Sequence, residues 1–277
     1  MDNKYYEITN PQKSIWLTEQ VYKGTSIENI TGSATIQEKV NFKNLNKAIN
    51  LFIKRNDSFR FKFIVQNDVV KQYIAEFDNI DFEKISLSST KELKQLEHQI
   101  ANTVFEPLNS YLFDFKMFEF PNGEGGFIAS MHHLISDAWS AGLLVSQIMD
   151  LYSAICHNLE LPTDSAPSYI NYIKSEQEYL NSNKFKNDEL FWTSLFQNVP
   201  EIATIPSLNS SNSTNISCAS KRKHFTISKK TIELINSYCK ENKFSIFNFF
   251  MGIFSIYIGR VSNLDEFVIR HSYTKQV

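Results

Sequence analysis

The sequence predicts an α/β fold in which a mixed sheet is flanked by helices. Residues 59–64 and 112–118 alternate apolar and polar side chains at every second position, which is typical of half-buried strands. Residues 42–54 and 138–157 repeat apolar side chains every three or four positions, which is typical of amphipathic helices packed on a sheet. The third observation is a segment without periodicity, 207–220, whose Ser- and Asn-rich composition indicates a linker.

The elements follow from these patterns and from the residues between them. A first helix is predicted from residue 11, where Asn10 can cap it and Pro11 suits the first helical position. The turn P-N-G-E-G-G joins two alternating segments into a hairpin. In chain order the predicted elements are helix 11–22, strand 30–36, helix 42–54, strands 59–64 and 69–74, helix 91–104, strands 112–118 and 127–132, helices 138–157, 167–179 and 184–197, strand 224–227, helices 229–241 and 245–260, and strand 266–272.

The same order predicts how the chain divides. Residues 1–205 form one α/β lobe, residues 206–222 a flexible linker, and residues 223–277 the incomplete start of a second lobe.

Composition excludes several classes of protein. The formal net charge is −2 at pH 7, and no basic stripe indicates nucleic-acid binding. Cys156, Cys218 and Cys239 lie far apart, without the spacing of a metal site or a disulfide framework. The N-terminus lacks the regions of a signal peptide, and the longest apolar run, 247–258, is too short to span a bilayer. We therefore expect a cytoplasmic protein that binds no nucleic acid, membrane or metal.

The segment M-H-H-L-I-S-D-A-W-S, residues 131–140, carries the candidate chemistry. Successive strand residues point to opposite faces, so one of His132 and His133 faces the core and the other an opening. Ser136 or Asp137 is a suitable N-cap for the helix that follows, and the helix dipole favours an ionised carboxylate there. Taken alone, the pattern fits a catalytic histidine or a capped strand–helix junction with a packed histidine.

With this motif in place, the chain resembles the condensation domains of nonribosomal peptide synthetases along essentially all of its 277 residues. Residues 131–140 resemble the family motif M-H-H-x-I-S-D-G-W-S. Four further segments resemble family motifs in the same order: P-Q-K-S-I-W-L at 11–17, K-R-N-D-S-F-R-F-K-F at 54–63, S-Y-I-N-Y-I at 168–173, and the helix and strand at 245–269.

The resemblance implies two chloramphenicol-acetyltransferase-like lobes, of which this chain holds one and the start of a second. It implies amide-bond formation, in which an acceptor amine attacks a donor thioester, with His133 as the central histidine. The substrates would be carried on phosphopantetheine of carrier protein domains or on CoA, without a directly bound cofactor, and an adenylation domain would lie downstream. His132 would be structural, and Asp137 would pair with an arginine, for which Arg55 is the candidate. The supporting residues are His132, Asp137, Arg55, Trp139 and Ser140.

The role of His133 stays open among three uses. An α-amino group has a pKa of about 8 and histidine one of about 6.5, a mismatch of roughly 2 kcal/mol. Free amine is therefore accessible near neutral pH. Deprotonation of the tetrahedral intermediate by His133, or orientation of the amine by a hydrogen bond, is at least as plausible as deprotonation of the amine in the ground state.

Two departures and one subtype feature complete the comparison with the family. Ala138 stands where the family motif has glycine, which is tolerable unless the backbone needs a positive φ. The family continues well past Val277, and the final V-I-R-H-S-Y-T-K-Q-V differs from its pattern. Residues 22–30 resemble starter domains, which join a fatty acyl group to the first amino acid; an elongation domain is the alternative. Two other functions stay open, a non-catalytic carrier-docking module and a stand-alone CoA-dependent acyltransferase.

Overall fold

In a computed structural model of the chain, residues 4–163, 166–200, 203 and 223–269 are described. Contacts between residues divide the chain into two compact units, Met1–Ser182 and Asn183–Val277. This division falls earlier than the predicted lobe boundary at residue 205. The predicted linker, 206–222, lies outside the described residues, so it stays a prediction.

The first unit is built on two sheets. Its strands are β1 (Tyr6–Glu7), β2 (Asn29–Ile36), β3 (Phe61–Gln66), β4 (Val69–Ile74), β5 (Lys84–Ser86), β6 (Phe113–Glu119) and β7 (Gly125–His132). The smaller sheet has the antiparallel order β1-β4-β3. The larger sheet has the order β2-β7-β6-β5, and it is mixed because β5 runs parallel to β6. Both predicted hairpins, β3–β4 and β6–β7, are therefore present.

Helices cover these sheets. In the first unit they are α1 (Asn10–Val21), α2 (Phe42–Arg55), α3 (Thr90–Ala101), α4 (Ala138–Cys156) and α5 (Tyr169–Leu180). Helix α2 packs against α4. Its buried face is formed by Leu45, Ala48, Ile49, Phe52 and Ile53, which follows the predicted apolar face closely. The central strand β7 is buried along its whole length, so its last residue, His132, reaches the site from inside the core.

Close backbone approach explains two glycines at the start of β7. A Cβ at Gly126 would collide with the carbonyl oxygen of Ala34 on β2, and one at Gly125 would collide with the carbonyl oxygen of Phe118 on β6. The strand can therefore pair on both sides only with glycine at these positions.

Several local expectations were wrong. Helix α1 is capped by Thr9 and not by Asn10, since the Thr9 side chain accepts from the Gln12 N–H while the Gln12 side chain accepts from the Thr9 N–H. Strand β3 begins at Phe61 because Asp57–Arg60 forms a 3₁₀ turn. Residues 224–227 form no strand, and Phe225 is 88% exposed. Strand 266–272 is not assigned over 266–269, and its remainder lies outside the described residues.

The second unit contains the helices α6 (Asn183–Leu195), α7 (Lys229–Glu241) and α8 (Ile246–Ser262). Helix α8 carries exposed apolar side chains along most of its length, among them Ile253, Phe254, Ile256 and Tyr257. Among the residues described, no helix taken singly is long and apolar enough to cross a membrane. The bent pair α7 and α8 meets those criteria only when the two helices are counted together.

Candidate active site

His132 ends β7 and is enclosed by the fold. Its side chain is 3% exposed, and its backbone N–H donates to the carbonyl of Leu112 over 2.9 Å. The Leu134 N–H donates to His132 Nδ1 over 3.1 Å, so that nitrogen carries no hydrogen. The ring proton is therefore on Nε2, which donates to Glu19 Oε2 at 3.4 Å. Both ring nitrogens are thus engaged within the protein.

Burial sets the protonation of this pair. Burial, followed by the charge of His133, lowers the pKa of His132 to about 4, so the ring is neutral at physiological pH. Burial, followed by the nearby Glu28 and Glu106, raises the pKa of Glu19. His132 has the surroundings of a packed side chain and not of a proton acceptor for a substrate.

His133 turns the other way. Its backbone N–H donates to the Glu28 carbonyl over 2.9 Å, and its side chain is half-buried. Its Nδ1 lies 3.2 Å from the carbonyl oxygen of Ser136. Because a carbonyl only accepts, Nδ1 carries the hydrogen of this contact, and in the neutral ring the lone pair is then on Nε2. The turn thus selects one tautomer of the neutral His133 ring, the tautomer in which Nε2 is the acceptor.

His133 lines a cavity of about 220 Å³. The apolar wall comes from Pro11, Ile15 and Phe61, and polar groups come from Ser58 and Tyr169 among others. The Tyr169 hydroxyl lies 3.1 Å from the hydroxyl of Thr9, and burial raises the pKa of Tyr169 to about 12. The tyrosine is therefore a neutral hydrogen-bonding group at this wall.

Asp137 caps α4. Its Oδ1 accepts from the backbone N–H of Ser140 and from the Ser140 hydroxyl, both at 2.7 Å. Trp139 is 65% exposed and lies at the surface of the first helical turn. Ala138 is the first residue of the helix and is absent from the positive-φ residues of the described chain, so alanine fits here in place of glycine.

Comparison with known proteins now decides the family. The family model for the condensation domain matches residues 2–274. The chain belongs to the condensation domain family. The family resemblance and the α/β fold class that the sequence predicted are therefore confirmed. Condensation domains catalyse amide-bond formation by acyl transfer.

Two relatives are synthase subunits of Bacillus subtilis (strain 168). The chain is 30% identical over 275 residues to surfactin synthase subunit 1, which covers 97% of this chain and 8% of that protein. It is 29% identical over 276 residues to a plipastatin synthase subunit from the same strain, covering 99% of this chain and 11% of that protein. The chain therefore spans about a tenth of the length of these relatives.

Two solved structures share the fold. The first condensation domain of the CDA synthetase matches with a TM-score of 0.75 at 14% identity, covering 95% of this chain and 63% of that one. The starter condensation domain of rhizomide synthetase RzmA matches with a TM-score of 0.68 at 20% identity, covering 73% and 50%.

Arg55, one of the predicted site residues, does not line the cavity of His133. Arg55 ends α2, and its Nη1 donates to the carbonyl of Pro162 over 2.8 Å. It borders a separate cavity of about 160 Å³ with Gln147 and Asp150. These residues lie 10 and 13 positions beyond Asp137 along α4, roughly 15–20 Å away. Within the described part of the chain no ion pair joins Arg55 to Asp137, so the predicted pairing was wrong.

Sequence reasoning missed two glutamines beneath the site. Gln12 and Gln72 pair through their side-chain amides, with both N–O distances at 2.9 Å. Gln12 Nε2 also donates to the carbonyl of Leu134, next to His133, over 3.0 Å. Gln12 belongs to the P-Q-K-S-I-W-L motif, which identifies it as a candidate but gives no indication of its partners. Gln72 lies in a short strand without any such signal.

Proposed function

We propose that the chain provides the His133-bearing part of an amide-forming condensation domain in a nonribosomal peptide synthetase. The observation that carries the proposal is the 3.2 Å contact between His133 Nδ1 and the Ser136 carbonyl in a histidine that lines a cavity, because this contact leaves Nε2 as the acceptor of the neutral ring. A base held in one tautomer costs little reorganisation when the amine arrives.

The chemistry balances with this one base. The acceptor amine nitrogen attacks the thioester carbonyl carbon and forms a zwitterionic tetrahedral intermediate. Nε2 of His133 accepts a proton from the ammonium nitrogen, the C–S bond breaks, and the thiolate leaves and takes up the proton. If Nε2 instead only orients the amine, the same tautomer is required, because an amine N–H needs an acceptor there.

The surrounding motif residues have supporting roles. His132 and Asp137 fix the two ends of the turn, Asp137 through the cap on Ser140. Trp139 is proposed as part of the exposed rim of the site. Arg55 has no proposed part in the site, since it lies at a different cavity.

We further propose a starter domain whose donor is a fatty acyl group. The support is the segment at 22–30 together with the solved relatives, one of which is a RzmA starter condensation domain in complex with C8-CoA and Leu-SNAC. The partners would be acyl or peptidyl carrier domains and an adenylation domain, and the substrates would arrive on phosphopantetheine or CoA. No directly bound cofactor, no nucleic acid and no membrane are part of the proposal, and the proposed location is the cytoplasm.

The test compares His133→Ala with wild type in the natural protein that carries this chain. Substrates are an acyl-CoA or acyl-carrier donor and an aminoacyl carrier, and the amide product is measured by mass spectrometry. We expect roughly a 100-fold or greater loss of turnover, as for removal of a general base. His98→Ala, an exposed histidine on α3, is the matched control and should keep wild-type turnover.

Four results would contradict parts of the proposal. Equal turnover of His133→Ala and wild type would refute a role for His133. Carrier binding without product in the wild type would indicate a docking module. Product from acyl-CoA and a free amine alone would indicate a stand-alone acyltransferase, and product only from a carrier-bound aminoacyl donor would indicate elongation.

A further inference from the structure

One face of α1 holds the turn that carries His133. Gln12 and Glu19 are seven residues apart, about two helical turns, so both lie on the same face of the helix. Gln12 donates to the Leu134 carbonyl over 3.0 Å. Glu19 accepts from His132, whose other ring nitrogen accepts the Leu134 N–H over 3.1 Å. Helix α1 therefore holds the residue after His133 directly at its C=O, and it contacts the histidine that holds the N–H of that residue.

We propose that Glu19 is a positioning residue for the condensation reaction, acting through His132 to fix the turn that presents Nε2 of His133 to the cavity. This inference rests on the proposed function. Glu19 touches neither the cavity of His133 nor the reacting atoms, so its effect passes entirely through the His132 ring.

The burial of the pair argues for a specific role. The side chains of His132 and Glu19 are 3% and 4% exposed, and a buried carboxylate is costly without a partner. His132 is the one hydrogen-bond partner of the Glu19 carboxylate among the residues that the structure describes. The edge of the Phe105 ring packs against His132, with ring centroids 6.3 Å apart at 85°, so the ring has little freedom to turn.

The link to His133 is a matter of ring orientation. If the Glu19 acceptor is lost, the buried Nε2–H of His132 has no partner, so the tautomer with the hydrogen on Nε2 loses its advantage over the tautomer with the hydrogen on Nδ1. A hydrogen on Nδ1 would face the Leu134 N–H, donor against donor. The turn would then move, and the 3.2 Å contact between His133 Nδ1 and the Ser136 carbonyl would weaken.

The experiment compares three variants in the natural protein that carries this chain. Glu19→Leu removes the acceptor at similar volume, and Glu19→Gln keeps an acceptor oxygen without the charge. Gln20→Leu changes the next residue of α1, which is exposed, and serves as the matched control. The readouts are kcat and KM for amide formation, and the imidazole ¹⁵N shifts, which report the tautomers of His132 and His133.

We expect Glu19→Leu to lower kcat about 100-fold with KM within about threefold, because a small displacement of a catalytic group is enough for such a loss. In the same variant, the ¹⁵N shifts of His133 should no longer show a preference for the tautomer with the hydrogen on Nδ1. Glu19→Gln should restore kcat to within about tenfold of wild type and keep both tautomers. Gln20→Leu should match wild type in every readout.

Two results distinguish failure of the Glu19 positioning role from failure of the proposed function. If Glu19→Leu keeps kcat within threefold and keeps the His133 tautomer while His133→Ala is inactive, the proposed function stands and the positioning role is refuted. If the wild type makes no amide, the proposed function fails, and the ¹⁵N shifts still decide whether Glu19 sets the His133 tautomer. Should Glu19→Leu fold poorly, Glu19→Asp, which is one methylene shorter, replaces it with the same expected loss of kcat and tautomer.

Discussion

Replacing Gln12 with alanine should destabilise the first unit far more than any exposed change on α1. The side chain holds three partners at once: the Thr9 N–H at 2.9 Å, the Leu134 carbonyl at 3.0 Å and the Gln72 amide at 2.9 Å. Gln72 is fully buried, and after the change its amide loses the Gln12 partner and keeps only its bond to the Glu7 carbonyl. An unsatisfied buried group costs about 1–3 kcal/mol.

The magnitude follows from which partners water can reach. Gln12 borders the 220 Å³ cavity, so water can enter beside the Leu134 carbonyl and recover part of that bond. For the Gln72 amide and the Thr9 N–H, most of the free-energy cost of losing the Gln12 partner remains. We expect a loss of about 3–5 kcal/mol in the free energy of unfolding, a large part of the 5–15 kcal/mol typical of a domain.

Urea unfolding followed by circular dichroism measures this loss. Gln20→Ala, exposed on the same helix, is the control and should change the free energy by less than about 0.5 kcal/mol. A double-mutant cycle with Gln72→Ala should give about 1–2 kcal/mol of coupling, since the two amides satisfy each other. A loss below about 1 kcal/mol for Gln12→Ala, at unchanged m-value, would refute the reasoning.

Three further predictions concern the sheet, the buried histidine and α8. Gly126→Ala should cost several kcal/mol in unfolding free energy or prevent folding, since its Cβ meets β2, whereas Gly32→Ala, with open space, should be nearly neutral. Lowering the pH from 6.5 towards 4 should destabilise the fold, because the unfolded chain protonates His132 while burial keeps it neutral in the folded state. His132→Asn should reduce this dependence of the unfolding free energy on pH. The raised pKa of Glu19 acts with the opposite sign. The exposed apolar face of α8 should drive self-association, and Phe254→Asp should reduce it; a wild-type monomer by light scattering at all concentrations would contradict this.

Elements with a long local pattern were predictable from the sequence. Helix α2 and the hairpin β3–β4 each carry enough repeats for periodicity to define them. Strands β1 and β5 are 2 and 3 residues long, too short for a period to show. They exist because β4 and β6 offer them a free edge, which is a property of the folded sheet and not of their own residues.

In the candidate site, too, contacts between residues close in the chain were predictable, and contacts between distant residues were not. Asp137 and Ser140 are near neighbours, so the sequence could indicate a cap between them. Gln12 and Leu134 are 122 residues apart, and His132 and Glu19 are 113 apart. Contacts over such separations depend on how the sheet and helices pack. The pairing of Arg55 with Asp137, which the family resemblance implied, was wrong for the same reason. The position of Arg55 at the end of α2 brings it to the Pro162 carbonyl and not to Asp137.

The two adjacent histidines hold opposite tautomers, and the end of β7 explains why. His132 is still in the strand, so its ring enters the core and Nδ1 meets the N–H of Leu134 as the chain begins to turn. One residue later the chain has left the sheet, and the Nδ1 of His133 meets a carbonyl, Ser136 O, of the same turn. A backbone donor beside one ring and a backbone acceptor beside the other fix the hydrogen on Nε2 of His132 and on Nδ1 of His133. The strand end thus places His132 in the core, and it leaves His133 at the cavity with Nε2 as the acceptor of its neutral ring.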